Sequence, residues 1–418
     1  MNFKSLCLGL VSLTACISFA APFNAAREAE FVRENTEFAV RQTQNLLTVV
    51  GKPGPNNYPR TLTAQGRTTV TSMYDWTPGF FPGSLWYLYE LTGDNTWRVR
   101  AEAWTAPLEK LKTFTGHHDI GFMMYCSYGN AERLASRPAY QGILIQSARS
   151  LCTRFSKTTK TIRSWNQRRA WSGNMWHYPV IIDNMMNLEL LCYAARVSGD
   201  KKLLDIALTH ADTTLKNHFR PDGSSYHVVN YDSKTGEVLN RQTCQGYADN
   251  STWARGQAWA IYGYTMMYRE TRRPEYLEAA CRFADFYLSQ LPEDLIPLWD
   301  FNAGQPGYLP DGKSNAKKFM DRAKAPRDVS AAAVVCSALF ELGGLAKKPA
   351  YTEQAIAMLK SMASPAYRAE LGGNGGFLLM HSTGSIPHNN EIDKPLVYAD
   401  YYFLEALTRY RRYISTRR

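Results

Sequence analysis

One aspartate stands in an unusually apolar part of the sequence. Asp183 lies near the start of residues 180–200, VIIDNMMNLELLCYAARVSGD, which predict a helix with apolar side chains almost all round it. Such a helix is normally buried on most sides. A buried carboxylate loses its hydration, so its pKa should rise unless cations or hydrogen-bond donors compensate. Asp183 is therefore either a general acid or a helix cap, and the directly preceding Ile181 and Ile182 are poor neighbours for a cap.

Polar residues recur at the starts of helical segments along the whole chain. Between neighbouring starts there is room for one further amphipathic helix, such as residues 201–217 or 275–290. A repeat of helical hairpins whose first helix is the more apolar predicts six inner helices wrapped by six outer ones. We therefore predict an all-α fold, an (α/α)6 barrel that forms one domain over residues 22–418, with an open solenoid as the alternative. The six segments open at Asp75, Asp119, Asp183, Trp253, Asp328 and Asp400.

A closed ring would bring these helix starts, and the loops beside them, to one mouth. Carboxylates, imidazoles, an arginine and indoles at one mouth suit an anionic sugar. The indoles would stack on the ring, Arg255 or a histidine would hold a carboxylate, and the aspartates would transfer protons. Asp75, Asp328 and Asp400 are more simply helix caps, whereas the capping and chemical interpretations of Asp119 are equally open. The candidate site residues are Trp76, His118, Asp119, Asp183, His227, Gln245, Trp253, Arg255 and His381.

Charge and composition narrow the classes of partner. The formal net charge of the 418-residue chain is +11, which favours an anionic partner through the overall field. The charges are spread along the chain, and the short run of Arg163, Arg168 and Arg169 is most simply a solvated loop. No nucleic-acid-binding module is recognisable. No cysteine pair or Cys/His cluster has metal-ligand spacing, so we predict neither a metal site nor a cofactor.

The first residues carry a targeting signal. MNFKSLCLGLVSLTACISFAAP combines a lysine, an apolar run and small residues, so we assign residues 1–21 to an export signal peptide. The SFA sequence at 18–20 offers a cleavage site and favours release into the periplasm. The LTAC sequence at 13–16 resembles a bacterial lipobox, and a lipid anchor on Cys16 is the alternative. No later stretch approaches the roughly 18 apolar residues of a membrane helix, so no membrane span is predicted.

Five stretches of the chain resemble a known family. Taken together and in this order, they look like the unsaturated glucuronyl hydrolases, glycoside hydrolase family 88. The related unsaturated rhamnogalacturonyl hydrolases share the barrel, but HDIGF and STWARGQAW are more similar to the glucuronyl group. The stretches are DWTPGFFPGSLWYLYELTGD (75–94), HDIGFMMY (118–125), IIDNMMNLELL (181–191), QGYADNSTWARGQAW (245–259) and PLVYADYYFLEALTRY (395–410).

The resemblance implies a reaction and a set of roles. The family removes a 4,5-unsaturated uronic acid from the non-reducing end of oligosaccharides released by polysaccharide lyases. An aspartate protonates C4, water adds at C5, and the hemiketal opens. Asp183 matches the general acid and Asp119 the assisting carboxylate. Positions that match sugar-binding residues are Trp76, His227, Gln245 and Arg255, while Trp253 and Trp259 would also face the ring.

Three expectations remain open at this stage. The expected partners are anionic, unsaturated oligosaccharides of glycosaminoglycan type, either sulfated or unsulfated. The protein is expected to be a monomer or a weak dimer. The alternatives are a hydrolase of unsaturated rhamnogalacturonides and a barrel that binds sugars without catalysis. Residues 376–395 depart from the family pattern, and in this stretch we expect His381 to bind the sugar and Lys394 to meet a sulfate.

Overall fold

Residues 23–417 are described by the structure, a computed structural model, and they form two concentric rings of helices. The export signal predicted at residues 1–21 lies outside this range. The inner ring consists of α2 (Phe80–Thr92), α4 (Ile120–Met124) continued by a π-helical turn (Tyr125–Gly129) and α5 (Asn130–Ala135), α7 (Leu188–Ser198), α9 (Ala254–Thr271), α11 (Val329–Leu345) and α13 (Val397–Ser415). The outer ring consists of α1 (Ala25–Val50), α3 (Asn95–Thr105), α6 (Pro138–Cys152), α8 (Lys201–Asn217), α10 (Pro274–Ser289) and α12 (Pro349–Met362).

The inner ring is closed. Each inner helix contacts the next, and α13 packs against α2, so that first and last members meet. The two rings differ as their sequences predict. α11 is buried continuously from Val329 to Phe340, whereas α8 buries one face only, through Leu203, Ala207 and Ala211. Closure, rather than an open solenoid, removes both ends of the apolar inner surface from water.

All inner helices run in the same direction, so the two ends of the barrel differ in charge. Their first turns converge at the mouth that contains Asp183. Towards the opposite end, ion pairs link the C-terminal halves of the inner helices, among them Arg269 with Glu341 and Arg409 with Glu341. Basic side chains are favourable near helix C-termini because of the helix dipole. A cavity of about 760 Å³ lies among these ion pairs, away from Asp183.

Short strands supply the loops at the mouth, and they are more numerous than the sequence suggested. The largest group among residues 23–417 is a three-stranded antiparallel sheet. That sheet has the order β7 (Tyr178–Ile181), β8 (Val228–Tyr231), β9 (Val238–Gln242). Three two-stranded pairs accompany it: β1 (Tyr58–Leu62) with β2 (Thr68–Thr71), β3 (Phe155–Ser156) with β4 (Thr161–Ile162), and β5 (Arg168–Arg169) with β6 (Met175–Trp176).

The prediction of a helix over residues 180–200 is wrong at its beginning. Residues up to Ile181 belong to β7, residues Ile182–Asn187 form a 3-10 turn, and the α-helix begins only at Leu188. The β-branched run before Asp183 pairs with β8 and not with a preceding helical turn. Apolar residues alone do not distinguish a buried strand from a buried helix, because neither shows an exposed face.

Two further observations concern the described residues. None of their helices has the length and apolar character that crossing a membrane requires. All six of their cysteines are free thiols.

Close packing of the 3-10 turn against α9 yields a stability prediction. A Cβ added to Gly263 would lie 2.5 Å from Cβ of Met185. Gly263→Ala should therefore lower the free energy of unfolding by about 1–3 kcal/mol, measured by urea denaturation. Gly142→Ala in α6 is the control, because nothing lies within 4 Å of its added Cβ. Alanine is a better helix former than glycine, so Gly142→Ala should raise the free energy of unfolding by up to about 1 kcal/mol. Equal effects of the two substitutions would contradict the packing argument.

Candidate active site

Asp183 is held in its 3-10 turn by hydrogen bonds from several elements. The backbone N–H of Ile182 donates to the carbonyl of His227 (3.1 Å), which fixes the turn against the end of β8. The Asn184 amide donates to the carbonyl of Ile162 (2.7 Å). Asn187 accepts from the backbone N–H of Phe122 in α4 (3.1 Å). The Asp183 carboxylate therefore occupies a rigid position where three elements meet.

The environment of Asp183 favours its protonated form. The pKa of Asp183 is raised to about 7, chiefly by burial and secondly by the negative charge of Asp119. Arg255 and the indole N–H of Trp259 act in the opposite direction. That N–H approaches the carboxylate but makes no hydrogen bond of ordinary geometry with a described residue, and neither does Oδ1 of Asp183. Its own backbone N–H also lowers the pKa, but burial outweighs these contributions, and the carboxyl group keeps its proton near neutral pH.

Asp119 has the opposite preference. Burial alone would raise the pKa of Asp119, but His118 and His117 hold it below its usual value. Oδ2 of Asp119 lies 3.1 Å from Nδ1 of His117, and Oδ1 lies 3.3 Å from Nε2 of His118. Burial lowers the pKa of His118 to about 4, whereas the hydrogen bond and the charge of Asp119 outweigh burial and raise the pKa of His117. A proton-bearing and an ionised carboxyl group thus lie in one site, which is the arrangement that acid–base chemistry requires.

The side chain of His227 presents an N–H towards Asp183. Its Nδ1 atom accepts hydrogen bonds from the backbone N–H groups of Cys244 (3.1 Å) and Gln245 (3.2 Å). Burial keeps the pKa of His227 well below its usual value, so the ring is neutral. A neutral ring that accepts at Nδ1 carries its proton on Nε2. Nε2 lies 3.7 Å from Oδ1 of Asp183 and is available to donate to a ligand.

Arg255, which was expected to hold a carboxylate of the sugar, is engaged within the protein. It pairs with Asp328 and donates to the carbonyls of Thr383 and Gly384, each at 2.6 Å. Asp328 caps α11, as predicted, through the backbone N–H of Ser330 (3.1 Å), and its second oxygen meets Arg255. The pairing escaped the sequence analysis because 73 residues separate the partners. Arg255 therefore anchors the 376–395 loop and contributes a positive field to the site.

Aromatic side chains form the walls. The Trp76 ring lies 4.9 Å from Tyr398, and Trp253 lies 4.5 Å from His227. Trp259 was expected to face a sugar ring, but it is completely buried against Phe122. Only its N–H edge is directed at Asp183, so the prediction of a stacking face is wrong.

Tyr398 is a site residue that the sequence analysis missed. Asp400 was expected at the mouth, but it lies inside α13, where it accepts from the backbone N–H groups of Leu378 and Leu379. Tyr398, half a helical turn earlier, contacts Trp76 and the guanidinium of Arg255. The helical period counted back from Asp400 could have identified it. Asp75 is not the cap of α2 either, because that helix begins only at Phe80. Asp75 accepts from the backbone N–H of Thr77 (3.0 Å) in the preceding turn and pairs with Arg60.

The remaining candidates differ in position. Gln245 lies beside His227 and donates to the carbonyl of Gly384 (3.2 Å), so it borders the site. His381 pairs with Asp393 at 2.6 Å and is partly exposed; no hydrogen bond or ion pair among the described residues joins its side chain to the Asp183 cluster.

Several buried polar atoms in the site have no hydrogen-bond partner within residues 23–417. Buried polar groups are normally satisfied, so a cluster of exceptions indicates a place for a ligand rich in oxygen atoms. The set contains mainly donors, which suits an anionic or hydroxylated ligand. The atoms are Oδ1 of Asp183, Nε2 of His227, Nε1 of Trp253, Nε1 of Trp259 and Oη of Tyr398. The described residues contain no group of three or more His, Cys, Asp or Glu arranged to hold a metal ion.

Comparison with known proteins agrees with this geometry. Residues 56–402 match Glycosyl Hydrolase Family 88. The chain is 48% identical to the unsaturated glucuronyl hydrolase of Formosa agariphila over 362 residues, 85% of each chain. It is 29% identical to the unsaturated chondroitin disaccharide hydrolase of Streptococcus pyogenes over 364 residues, 85% of this chain and 86% of that protein.

A solved structure agrees as well. The crystal structure of an unsaturated glucuronyl hydrolase specific for heparin superimposes with a TM-score of 0.84 at 43% identity, covering 92% of this chain and 98% of that chain. The fold and the site define a glycoside hydrolase built on an (α/α)6 barrel. The chain belongs to Glycosyl Hydrolase Family 88, which confirms the family and the fold predicted from the five motifs.

The pKa of Asp183 yields a prediction that needs no substrate. Its folded value of about 7 lies above the value of about 4 in an unfolded chain. The protonated Asp183 therefore contributes its full stabilisation of the folded state below pH 4, and this contribution is lost as the pH rises towards 7. Asn cannot ionise, so Asp183→Asn should exceed the wild type in unfolding free energy by about 4 kcal/mol at pH 8, since a shift of one pKa unit corresponds to about 1.4 kcal/mol, and by much less at pH 4. Urea denaturation at both pH values measures this. The same substitution at Asp205, which is exposed on α8, is the control; equal pH dependence in both variants would contradict a buried acid at 183.

Proposed function

We propose that the protein removes a 4,5-unsaturated uronic acid from the non-reducing end of lyase-generated oligosaccharides, with Asp183 as the general acid. The observation that carries this is a buried carboxyl group whose pKa is about 7, in one site with an ionised carboxylate. A carbon atom is protonated only by a group that still holds its proton at working pH.

The reaction needs one proton donor and one water molecule. Asp183 gives its proton to C4 while the ring oxygen stabilises the positive charge that develops at C5. Water then adds at C5 and returns a proton to the ionised Asp183. The resulting hemiketal opens to a ketone at C5, which leaves C1 as a hemiacetal. The C1 hydroxyl becomes an aldehyde as the C1–O bond to the next sugar breaks, and that sugar takes up the proton and leaves as an alcohol. Asp119, ionised beside the site, keeps the pKa of Asp183 high and stabilises positive charge during the reaction.

The other side chains position the unsaturated sugar. Trp76 offers an aromatic face at the mouth, and Nε2 of His227 and Nε1 of Trp253 offer hydrogen-bond donors. The positive ends of the inner helices and the field of Arg255 favour the uronate carboxylate. Gln245 supports the backbone turn that fixes His227. No step in this scheme requires a metal or a cofactor.

Glycosaminoglycan fragments, sulfated or unsulfated, are the substrates we favour. The supporting observations are the net charge of +11 and relatives named for chondroitin disaccharides and for heparin. Unsaturated rhamnogalacturonides are the second candidate. A panel of unsaturated disaccharides from heparin, chondroitin, hyaluronan and pectic chains, followed by loss of the ultraviolet absorbance of the C4–C5 double bond, separates the two. Binding without loss of the double bond would favour a non-catalytic barrel.

We also propose that the protein is exported to the periplasm. The support is the sequence of residues 1–21, and the alternative is a lipid anchor on Cys16. The mass of the mature protein from a periplasmic extract distinguishes cleavage after Ala20 from an acylated N-terminus.

Replacement of the proposed acid is the main test. Asp183→Asn should fold but lose turnover of unsaturated disaccharide by about 10³-fold or more, because the amide cannot donate the proton. In the wild type, the rate should fall as the pH rises through about 7. The isosteric control, Asp205→Asn on α8, removes the same charge from an exposed position and should leave turnover unchanged. Retention of more than a tenth of the wild-type rate by Asp183→Asn would exclude Asp183 as the acid.

A further inference from the structure

The arginine run that the sequence analysis assigned to a solvated loop belongs to a larger basic surface. Arg168 and Arg169 form strand β5, and both are exposed. Lys313, Lys317 and Lys318 are exposed on the segment that precedes α11. We call these five side chains the basic rim.

Three segments of the chain bring the basic rim together. Nζ of Lys313 lies 3.7 Å from the position that a Cβ on Gly173 would occupy, so the lysine segment touches the β5–β6 hairpin. The Lys318 ammonium donates to the side chain of Asn389 (3.2 Å). Nε2 of the adjacent His388 lies 3.5 Å from the guanidinium of Arg168. The rim is therefore one continuous surface and not a set of separate loops.

The charges of the basic rim are not neutralised by carboxylates. No Asp or Glu among residues 23–417 lies within 4 Å of any of its five cationic groups. Their contacts are with neutral groups: Arg169 donates to the carbonyl of Gly173 (3.2 Å) and Lys317 to that of Gly312 (3.0 Å). By contrast, arginines elsewhere, such as Arg269 and Arg409, are paired. Unpaired like charges held together repel each other, so an anionic partner would be favoured there.

The basic rim adjoins the mouth of the site. Arg168 lies over the ring of Trp165 (4.9 Å), and that ring contacts His227 edge-on at 6.2 Å. His388 accepts or donates a 2.6 Å hydrogen bond with Ser385, whose neighbour Gly384 is bound by Arg255. The unsaturated sugar is the non-reducing end of its chain, so the following sugars must leave through this mouth.

We propose that the basic rim binds the anionic groups of sugars further along an oligosaccharide, beyond those that contact the acid and its neighbours. This rests on the proposed function, because it takes the uronate end to lie at Asp183. The partner is a polyanionic carbohydrate chain whose carboxylates or sulfates pair with the rim. Continuity with the mouth favours it over a nucleic acid, for which no second binding feature adjoins the rim. The rim would give longer chains an advantage over disaccharides.

The kinetic test compares chain lengths. The triple variant Lys313→Gln, Lys317→Gln, Lys318→Gln should raise KM for an unsaturated chondroitin sulfate hexasaccharide by about tenfold at low salt, since three exposed ion pairs are lost. Both kcat and the disaccharide kinetics should change by less than about twofold. The matched control Lys201→Gln, Lys202→Gln, Lys216→Gln removes the same charge from α8, on the outer ring. It should leave KM and kcat unchanged for both substrates. Equal losses on both substrates, or the same loss in the control, would show that only the net charge matters and would overturn the proposal.

A binding test separates this proposal from the proposed reaction. Isothermal titration calorimetry with a hexasaccharide whose terminal double bond has been reduced measures the affinity for the chain without turnover. The wild type should bind it about tenfold more tightly than the lysine triple variant, and high salt should abolish the difference. Unsulfated hyaluronan hexasaccharide distinguishes carboxylate from sulfate as the group held. Equal affinity of wild type and variant, or equally tight binding of a single-stranded RNA of the same charge, would refute a carbohydrate-binding rim even if the hydrolase activity is established.

Discussion

The cost of ionising a carboxyl group away from water is the constraint on which this site depends. Asp183 lies where β7, α4 and α9 meet, and none of them supplies a strong hydrogen bond to it. Asp119 adds a like charge nearby, and its own charge is stabilised by His117 and His118. Two carboxyl groups of the same chemical type thereby acquire different protonation states at one pH. The rigid 3-10 turn preserves this difference because it prevents Asp183 from turning towards a donor.

The direction of the inner helices determines which end of the barrel can serve as the site. Six first turns at one end supply partial positive charge for an anionic ligand. Towards the other end, the C-terminal halves of the helices favour cations, and Arg269 and Arg409 lie there in partly buried ion pairs with glutamates. Arg255 illustrates the same division at the mouth: its pairing with Asp328 fixes a loop, while its charge still acts on Asp183. Stability and function are thus assigned to opposite ends of one ring.

Much of the architecture could be predicted because each element has a local signature. The alternation of more and less apolar helices indicates an inner and an outer ring, and α8 and α11 show those patterns in full. The helix predicted at residue 180 was misplaced because strand β7 is buried on both faces, as a helix of the inner ring would be. Periodicity carries no information where every side chain is buried.

The sequence by itself determined the apolar setting of Asp183, the polar helix starts and the order of the five family motifs. Closure of the ring decided the rest, because contacts between residues far apart in the chain are not encoded in local pattern. It placed Asp328 against Arg255, turned the edge of Trp259 to the acid, and brought Tyr398 to the mouth. Proton affinity depends on the charges and the solvent around a group, and only the folded barrel defines those surroundings.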